Sequence, residues 1–137
     1  MQAGAQQAGR DPQGLMVSML IPTFLSENLA AAREAARRFL AFYVTVPLYA
    51  SMFRRSGFAA EMDAVADALS QGERDRVTAC ISDRLVDEVC LVGSLTRCRE
   101  QLVAFREAGV TYPQIAPQAV HEEQAAAIRG CLEVFAP

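Results

Sequence analysis

The segment Leu15–Phe24 constrains this chain more than any other. It reads Leu-Met-Val-Ser-Met-Leu-Ile-Pro-Thr-Phe and is nearly continuous in apolar residues. A strand with one wet face alternates polar and apolar residues, whereas an unbroken run marks a strand buried on both faces, as in a parallel sheet or barrel. Pro22 cannot donate to a ladder and belongs near the strand end. The chain offers one other strand, Val110–Ala116, interrupted by Pro113 and stopped by Pro117. Two strands joined by a long helical crossover are expected to be parallel neighbours. Two strands alone cannot enclose a doubly apolar one, while six more in a closed barrel would. The pattern therefore points to a missing partner.

Everything between and around the strands reads as helix. Met1–Gly9 resembles the tail of a helix, and Gly9, Asp11, Pro12 and Gly14 make a loop. Ser26 is the expected N-cap of the next helix, with Glu27 at its positive end. That helix, Leu29–Tyr43, places Leu29, Ala32, Ala36, Phe39, Leu40 and Tyr43 on one face and Arg33, Glu34, Arg37 and Arg38 on the other. Pro47 suits the first turn of a helix through Leu48, Tyr49, Met52 and Phe53, ended by Gly57. Short helices are expected over Phe58–Ser70, Arg74–Cys80 and Asp83–Val92, the last capped by Ser82 and closed by Gly93. Ser94 caps a helix with Leu95, Cys98, Leu102 and Phe105 inward and Arg97, Arg99 and Glu100 outward, ended at Gly109. Val120–Phe135 closes the chain. The expected architecture is one α/β domain over residues 1–137, helix-rich, with two parallel strands and roughly five to seven helices.

Composition excludes several functions. Hydrophobic residues make up 52% of the chain, which rules against disorder. A net charge of -3 with both signs interspersed lacks the basic stripe of a nucleic-acid binder. Cys80, Cys90, Cys98 and Cys131 form no C-x-x-C pair, so free thiols in a reduced cytosol are expected, and no zinc site. His121, beside Glu122 and Glu123, and the series Asp83, Asp87 and Glu88 read as solvated surface. No apolar run is long enough to span a bilayer, and the first ten residues lack the features of a signal peptide, so a cytoplasmic location is expected. No Ser-His-Asp set, Walker loop or G-x-G-x-x-G supports a hydrolase or nucleotide enzyme.

Four segments in order carry a family likeness. They are Ala8-Gly9-Arg10-Asp11-Pro12 before the apolar strand, Arg37-Arg38-Phe39-Leu40-Ala41-Phe42-Tyr43, Ile81-Ser82-Asp83-Arg84-Leu85-Val86-Asp87, and Val92-Gly93-Ser94 with Cys98-Arg99-Glu100-Gln101-Leu102 and Ala108-Gly109-Val110. The series resembles the C-terminal portion of the bacterial luciferase-like oxidoreductases, from about Ala8 to Pro117. Leu95 departs from it, standing where that family often has Pro, and so does the polar Tyr112-Pro113-Gln114.

The resemblance implies a helix-rich partial TIM barrel: the last two βα units, strands seven and eight with their helices. It implies coenzyme F-420 or FMN in the full-length family, and hydride transfer as the chemistry. Strands one to six, which supply most of the coenzyme pocket, lie outside this sequence. The fragment is therefore expected to be inactive alone, to hold no coenzyme by itself, and to offer no catalytic, coenzyme-binding or metal residue. The residues implied for the substrate or its lid are Thr23, Phe24, Tyr43 and Tyr49, with Phe42 and Phe53 beside them as cover or core. The implied partners are a second copy of the chain or a missing barrel half, with neither nucleic acid nor membrane. The competing expectations are a non-catalytic helical interaction module and a partial barrel that assembles across subunits.

Overall fold

The computed structural model describes residues 2–9, 11, 14–121 and 123–135. The chain runs α1 (Gln2–Gln7), β1 (Ser18–Leu25), α2 (Leu29–Thr45), α3 (Pro47–Arg55), α4 (Ala59–Ser70), α5 (Asp83–Val89), β2 (Leu91–Gly93), α6 (Leu95–Glu107), β3 (Tyr112–Pro117) and α7 (Gln124–Phe135). Arg74–Arg76 and Thr78–Cys80 are single 3-10 turns where one short helix was expected. No helix among the described residues is long and apolar enough to cross a membrane.

The three strands form one parallel sheet in the order β2-β1-β3. β1 pairs with β3 from Ser18↔Tyr112 to Thr23↔Pro117, and with β2 only from Thr23↔Leu91 to Leu25↔Gly93. The expectation of two strands is thus corrected to three among the described residues. β2 was assigned to the helix Asp83–Val92, because a short apolar run has no period that separates strand from helix. The backbone turns extended at Cys90, and Leu91, Val92 and Gly93 are all buried beside β1. Ladder bonds to β1 replace the helical ones there.

The helix after β1 is also capped differently. Asn28, not Ser26, is the N-cap, its side-chain oxygen accepting from Ala31 N at 3.1 Å. Ser26 stays tied to the sheet, its N–H donating to Gly93 O at 2.9 Å, while its hydroxyl accepts from Asn28 N. The far end of α2 runs to Thr45 and turns extended at Val46, because Pro47 disfavours helical backbone in the residue before it.

Two apolar clusters flank β1. One joins Phe24 to Ala32, Ala36, Leu40 and Val44 of α2, Met62 and Val65 of α4, and Leu85 and Val86 of α5. The other joins Ile21 to Leu91 and Cys98, with Met19, Leu25, Leu102, Phe105 and Ile115 packed around them. β1 is therefore buried on both faces, as expected, but only over its C-terminal half. Leu20 is 63% exposed and Met16 76%. The N-terminal half of the strand keeps one open face.

Leu40 is 4% exposed in the larger cluster. Leu40→Ala is expected to lower stability by about 3 kcal/mol, read from denaturant unfolding; an unchanged midpoint would refute the packing of α2. The cysteines give a second expectation. None of the four forms a disulfide, and Cys90, Cys98 and Cys131 are buried. Burial pushes the Cys90 thiol up to about 12 from 9.0 and the Cys98 thiol up to about 11. The unfolded chain releases these protons near 9 and the folded chain holds them. Stability is therefore intact below about pH 9 and falls as pH rises from there toward the folded values. Cys90→Ala should flatten that alkaline loss when unfolding is measured at about pH 8 and pH 10.5.

Candidate functional site

In parallel α/β structures ligands gather at the carboxyl ends of the strands. Here that rim is formed by Thr23–Ser26 after β1, Gly93–Ser94 after β2 and Pro117–Gln118 after β3. Thr23 lies just beneath it and is fully buried. Its hydroxyl donates to Ile21 O at 3.0 Å, and its carbonyl accepts from Gln118 N at 2.8 Å. Phe24 is also buried, with its ring edge-on to Phe39 at 5.8 Å.

From Phe24 an aromatic ladder climbs outward. Phe39 meets Tyr43 at 5.2 Å, and Tyr43 meets Tyr49 of α3 at 5.2 Å with rings nearly perpendicular. Phe42 stands edge-on to Tyr43 at 5.5 Å. Such contacts suit the aromatic quadrupole. The structure thus joins Phe24, Tyr43 and Tyr49 in one line, while Thr23 belongs to the sheet and takes no part in it. The outer end of the ladder is an apolar corner between α2 and α3, where Phe42, Leu48 and Met52 are exposed. Phe53 packs inward against the larger cluster.

Sequence reasoning missed an ion-pair clamp beside the rim. Arg33 of α2 forks onto Asp87 of α5, at 2.6 Å and 3.2 Å, and reaches Asp83 at 2.8 Å. Arg37 bonds Asp83 and donates to Ile81 O at 3.0 Å. Arg97 of α6 donates to Asp87 at 2.8 Å. The hydrogen bonds that Arg33 donates to Asp87, with the charges of Asp87 and Asp83 beside it, raise the guanidinium pKa above its ordinary value. Arg33, Arg37 and Asp87 are partly enclosed, which for Asp87 corrects its reading as solvated surface. The signal was present in the sequence: Arg33/Arg37 and Asp83/Asp87 share one helical spacing, so each pair lines one face of its helix. Glu88, by contrast, pairs with Arg84 at the surface.

Arg97 also closes over Gly93. A side chain at Gly93 would meet Arg97 Cδ at 3.0 Å and Leu29 Cδ1 at 3.1 Å, and the residue has φ +107. Gly93 therefore serves the close packing of α2 and α6 at the strand end, not the end of a helix.

Two concavities lie near these elements. One, of about 100 Å³, sits under α7 at the rim and is lined by Leu25, Gln118, Ala126, Ala127, Gly130 and Cys131. The other, about 560 Å³ and wide open, is bordered by Glu34, Arg37, Asp75 and Asp83 among others. Among the described residues no group of three or more His, Cys, Asp or Glu is placed to hold a metal. His121 is exposed.

Comparison with known proteins gives three findings. The family profile of the luciferase-like monooxygenases matches residues 1–112. A Mycobacterium tuberculosis protein that bears the name coenzyme F-420-dependent oxidoreductase is 27% identical over 110 residues, which are 76% of this chain and 32% of that protein. The structure of the coenzyme F-420-dependent tetrahydromethanopterin reductase from Methanopyrus kandleri has the same fold over 97% of this chain and 38% of its own length, with a TM-score of 0.71 and 19% identity. The chain thus spans about a third of the length of these relatives.

The packing at the rim is testable. Gly93→Ala should cost about 2–4 kcal/mol, from backbone strain plus the two close contacts. Gly72→Ala, at φ +74 but facing open space, should cost about 1 kcal/mol. Equal losses in thermal unfolding would remove the steric part of the account.

Proposed function

The chain belongs to the luciferase-like monooxygenase family, and on that premise we propose that it is the part of a deazaflavin-dependent oxidoreductase barrel that carries strands seven and eight. In this reading β1 and β3 are those strands, and the chain does not turn over substrate alone. The observation that carries it is the sheet itself. A parallel sheet whose central strand has one open apolar face, in a chain about a third the length of its relatives, calls for further strands. β2 pairs only with Thr23–Leu25, and no described strand lies beside Ser18–Leu20 on that side of β1.

The chemistry of the assembled protein is hydride transfer, supplied by coenzyme F-420, which both relatives carry in their names; FMN is the alternative. The protein's share is to orient the coenzyme and exclude water. Tyr43 and Tyr49, with Phe42, form the cover over that site, and Thr23 and Phe24 support it from beneath.

The residues present do not fit the coenzyme by themselves. The cavity at the rim is about 100 Å³, against roughly 300–1,000 Å³ for sites that enclose a small molecule. The larger concavity presents Glu34, Asp75 and Asp83, and its Arg37 is already committed to Asp83 and Ile81. Carboxylates there repel a phosphate-bearing coenzyme. The four cysteines without a disulfide support a reducing compartment, the cytoplasm. A second reading, a non-catalytic interaction module, is favoured by one feature, the unguarded stretch of edge beside β1.

Fluorescence titration of the chain with coenzyme F-420, and in parallel with FMN, tests the proposal. No saturable binding of either is expected in the micromolar range. Saturation by either, or turnover of the deazaflavin by the purified chain, would overturn the claim that the coenzyme site is incomplete.

A further inference from the structure

At β2 the sequence pattern and the fold disagree about the kind of element. Asp83–Val92 followed by Gly93 has the pattern of a helix with a glycine stop. Yet Cys90 is extended, at φ -127 and ψ 161, and Leu91–Gly93 is a strand. Two continuations of α5 therefore compete. In a helix carried on to Val92, Asp87 O would accept from Leu91 N, Glu88 O from Val92 N, and Cys90 O from Ser94 N.

In the strand form β1 answers only one side of the segment. Successive residues of a strand alternate in the side to which their N–H and C=O point. Leu91 and Gly93 face β1. The Thr23↔Leu91 pairing brings the Leu91 N–H to Pro22 O, and Gly93 O accepts from Ser26 N at 2.9 Å. Cys90 and Val92 face the other way, where no described strand lies.

Gln101, in the second turn of α6, stands there instead. Its Oε1 accepts from Val92 N at 3.0 Å. Its Nε2 donates to Asp87 O at 3.3 Å and to Cys90 O at 3.5 Å. β1 reaches none of these three groups, and a continuing helix would pair all three within itself. One side chain thus serves β2 as a second neighbouring strand would, and it occupies two carbonyls that α5 needs to go on. Cys90, Leu91 and Val92 are fully buried, and a buried backbone group left unpaired is costly.

We propose that Gln101 commits Leu91–Gly93 to the sheet and so positions the Gly93–Ser94 corner of the rim. Without its amide, the Val92 N–H and the Asp87 and Cys90 carbonyls lose their partner in the strand form, while the helical form pairs them along the chain. α5 then runs on to Gly93, β1 loses its neighbour along Thr23–Leu25, and Ser26 loses the carbonyl that holds it. Gln101 acts on the rim through β2, as a positioning residue. This inference goes beyond the coenzyme reading and does not depend on it.

Backbone chemical shifts and amide exchange of the whole chain test the assignment. The unsubstituted chain should show extended Cα shifts at Cys90–Val92 and slow exchange at Ser26. In Gln101→Leu those shifts should move to helical values, and the Ser26 amide should exchange about tenfold faster or more. Adding Leu91→Ile raises the strand preference at nearly constant volume and should return the extended shifts. Leu102→Ala removes packing from the same helix. It should lower stability and leave Cys90–Val92 extended, which separates switching from a plain loss of stability. Should Gln101→Leu fail to fold, Gln101→Glu keeps an acceptor for the Val92 N–H and loses both donated bonds, and the shifts should still move toward helix. Extended shifts in the Gln101 variants, the same change in Leu102→Ala, or no return with Leu91→Ile would each overturn the inference.

Discussion

Every tertiary relationship in this protein is organised around β1. Among the described strands β1 alone has two neighbours, and its residues enter both apolar clusters, Ile21 on one side and Phe24 on the other. β2 and β3 do not touch as strands; each is held in the sheet by β1 alone. Burial of apolar area is the largest favourable term in folding, and β1 is where the two clusters back onto each other. The open face at Leu20 follows from the same geometry, because the larger cluster covers the sheet at Phe24 and leaves the beginning of the strand bare.

Around that strand, charge sets the arrangement of helices. Asp87 is shared by Arg33 of α2 and Arg97 of α6, and Asp83 by Arg33 and Arg37. α2, α5 and α6 are thereby locked over the short strand β2. An enclosed carboxylate without its cations would be costly, and so would the cations without it. The clamp thus ties together helices that are distant in sequence. Gly93 completes it from beneath, since only a residue with no side chain lets Arg97 and Leu29 approach so closely.

The functional reading separates into two layers. Family membership rests on a match that runs through most of the chain. The aromatic ladder from Phe24 to Tyr49 connects the buried end of β1 to an exposed apolar corner. The concavities do not extend the reading to a complete coenzyme site, since one is small and the other acidic. A fold hosts many chemistries, so the fold does not name a substrate.

Local rules made much of the fold legible. The run Leu15–Phe24 announced a buried parallel strand; Pro47, Ser82, Ser94 and Gly109 marked helix ends where the structure has them. Each acts on backbone within a few residues, so sequence alone carries the information. Four features were decided only by tertiary structure. Leu91–Gly93 became a strand because β1 offered it a ladder, and Asn28 took the cap because Ser26 was held by Gly93. Asp87 was enclosed because two helices brought arginines to it. Leu20 was left bare because the larger cluster, which covers that face of the sheet at Phe24, does not extend over it. In each case the deciding contact is set by tertiary packing and not by the neighbouring residues, and a periodicity of two or 3.6 residues says nothing about what a face will meet.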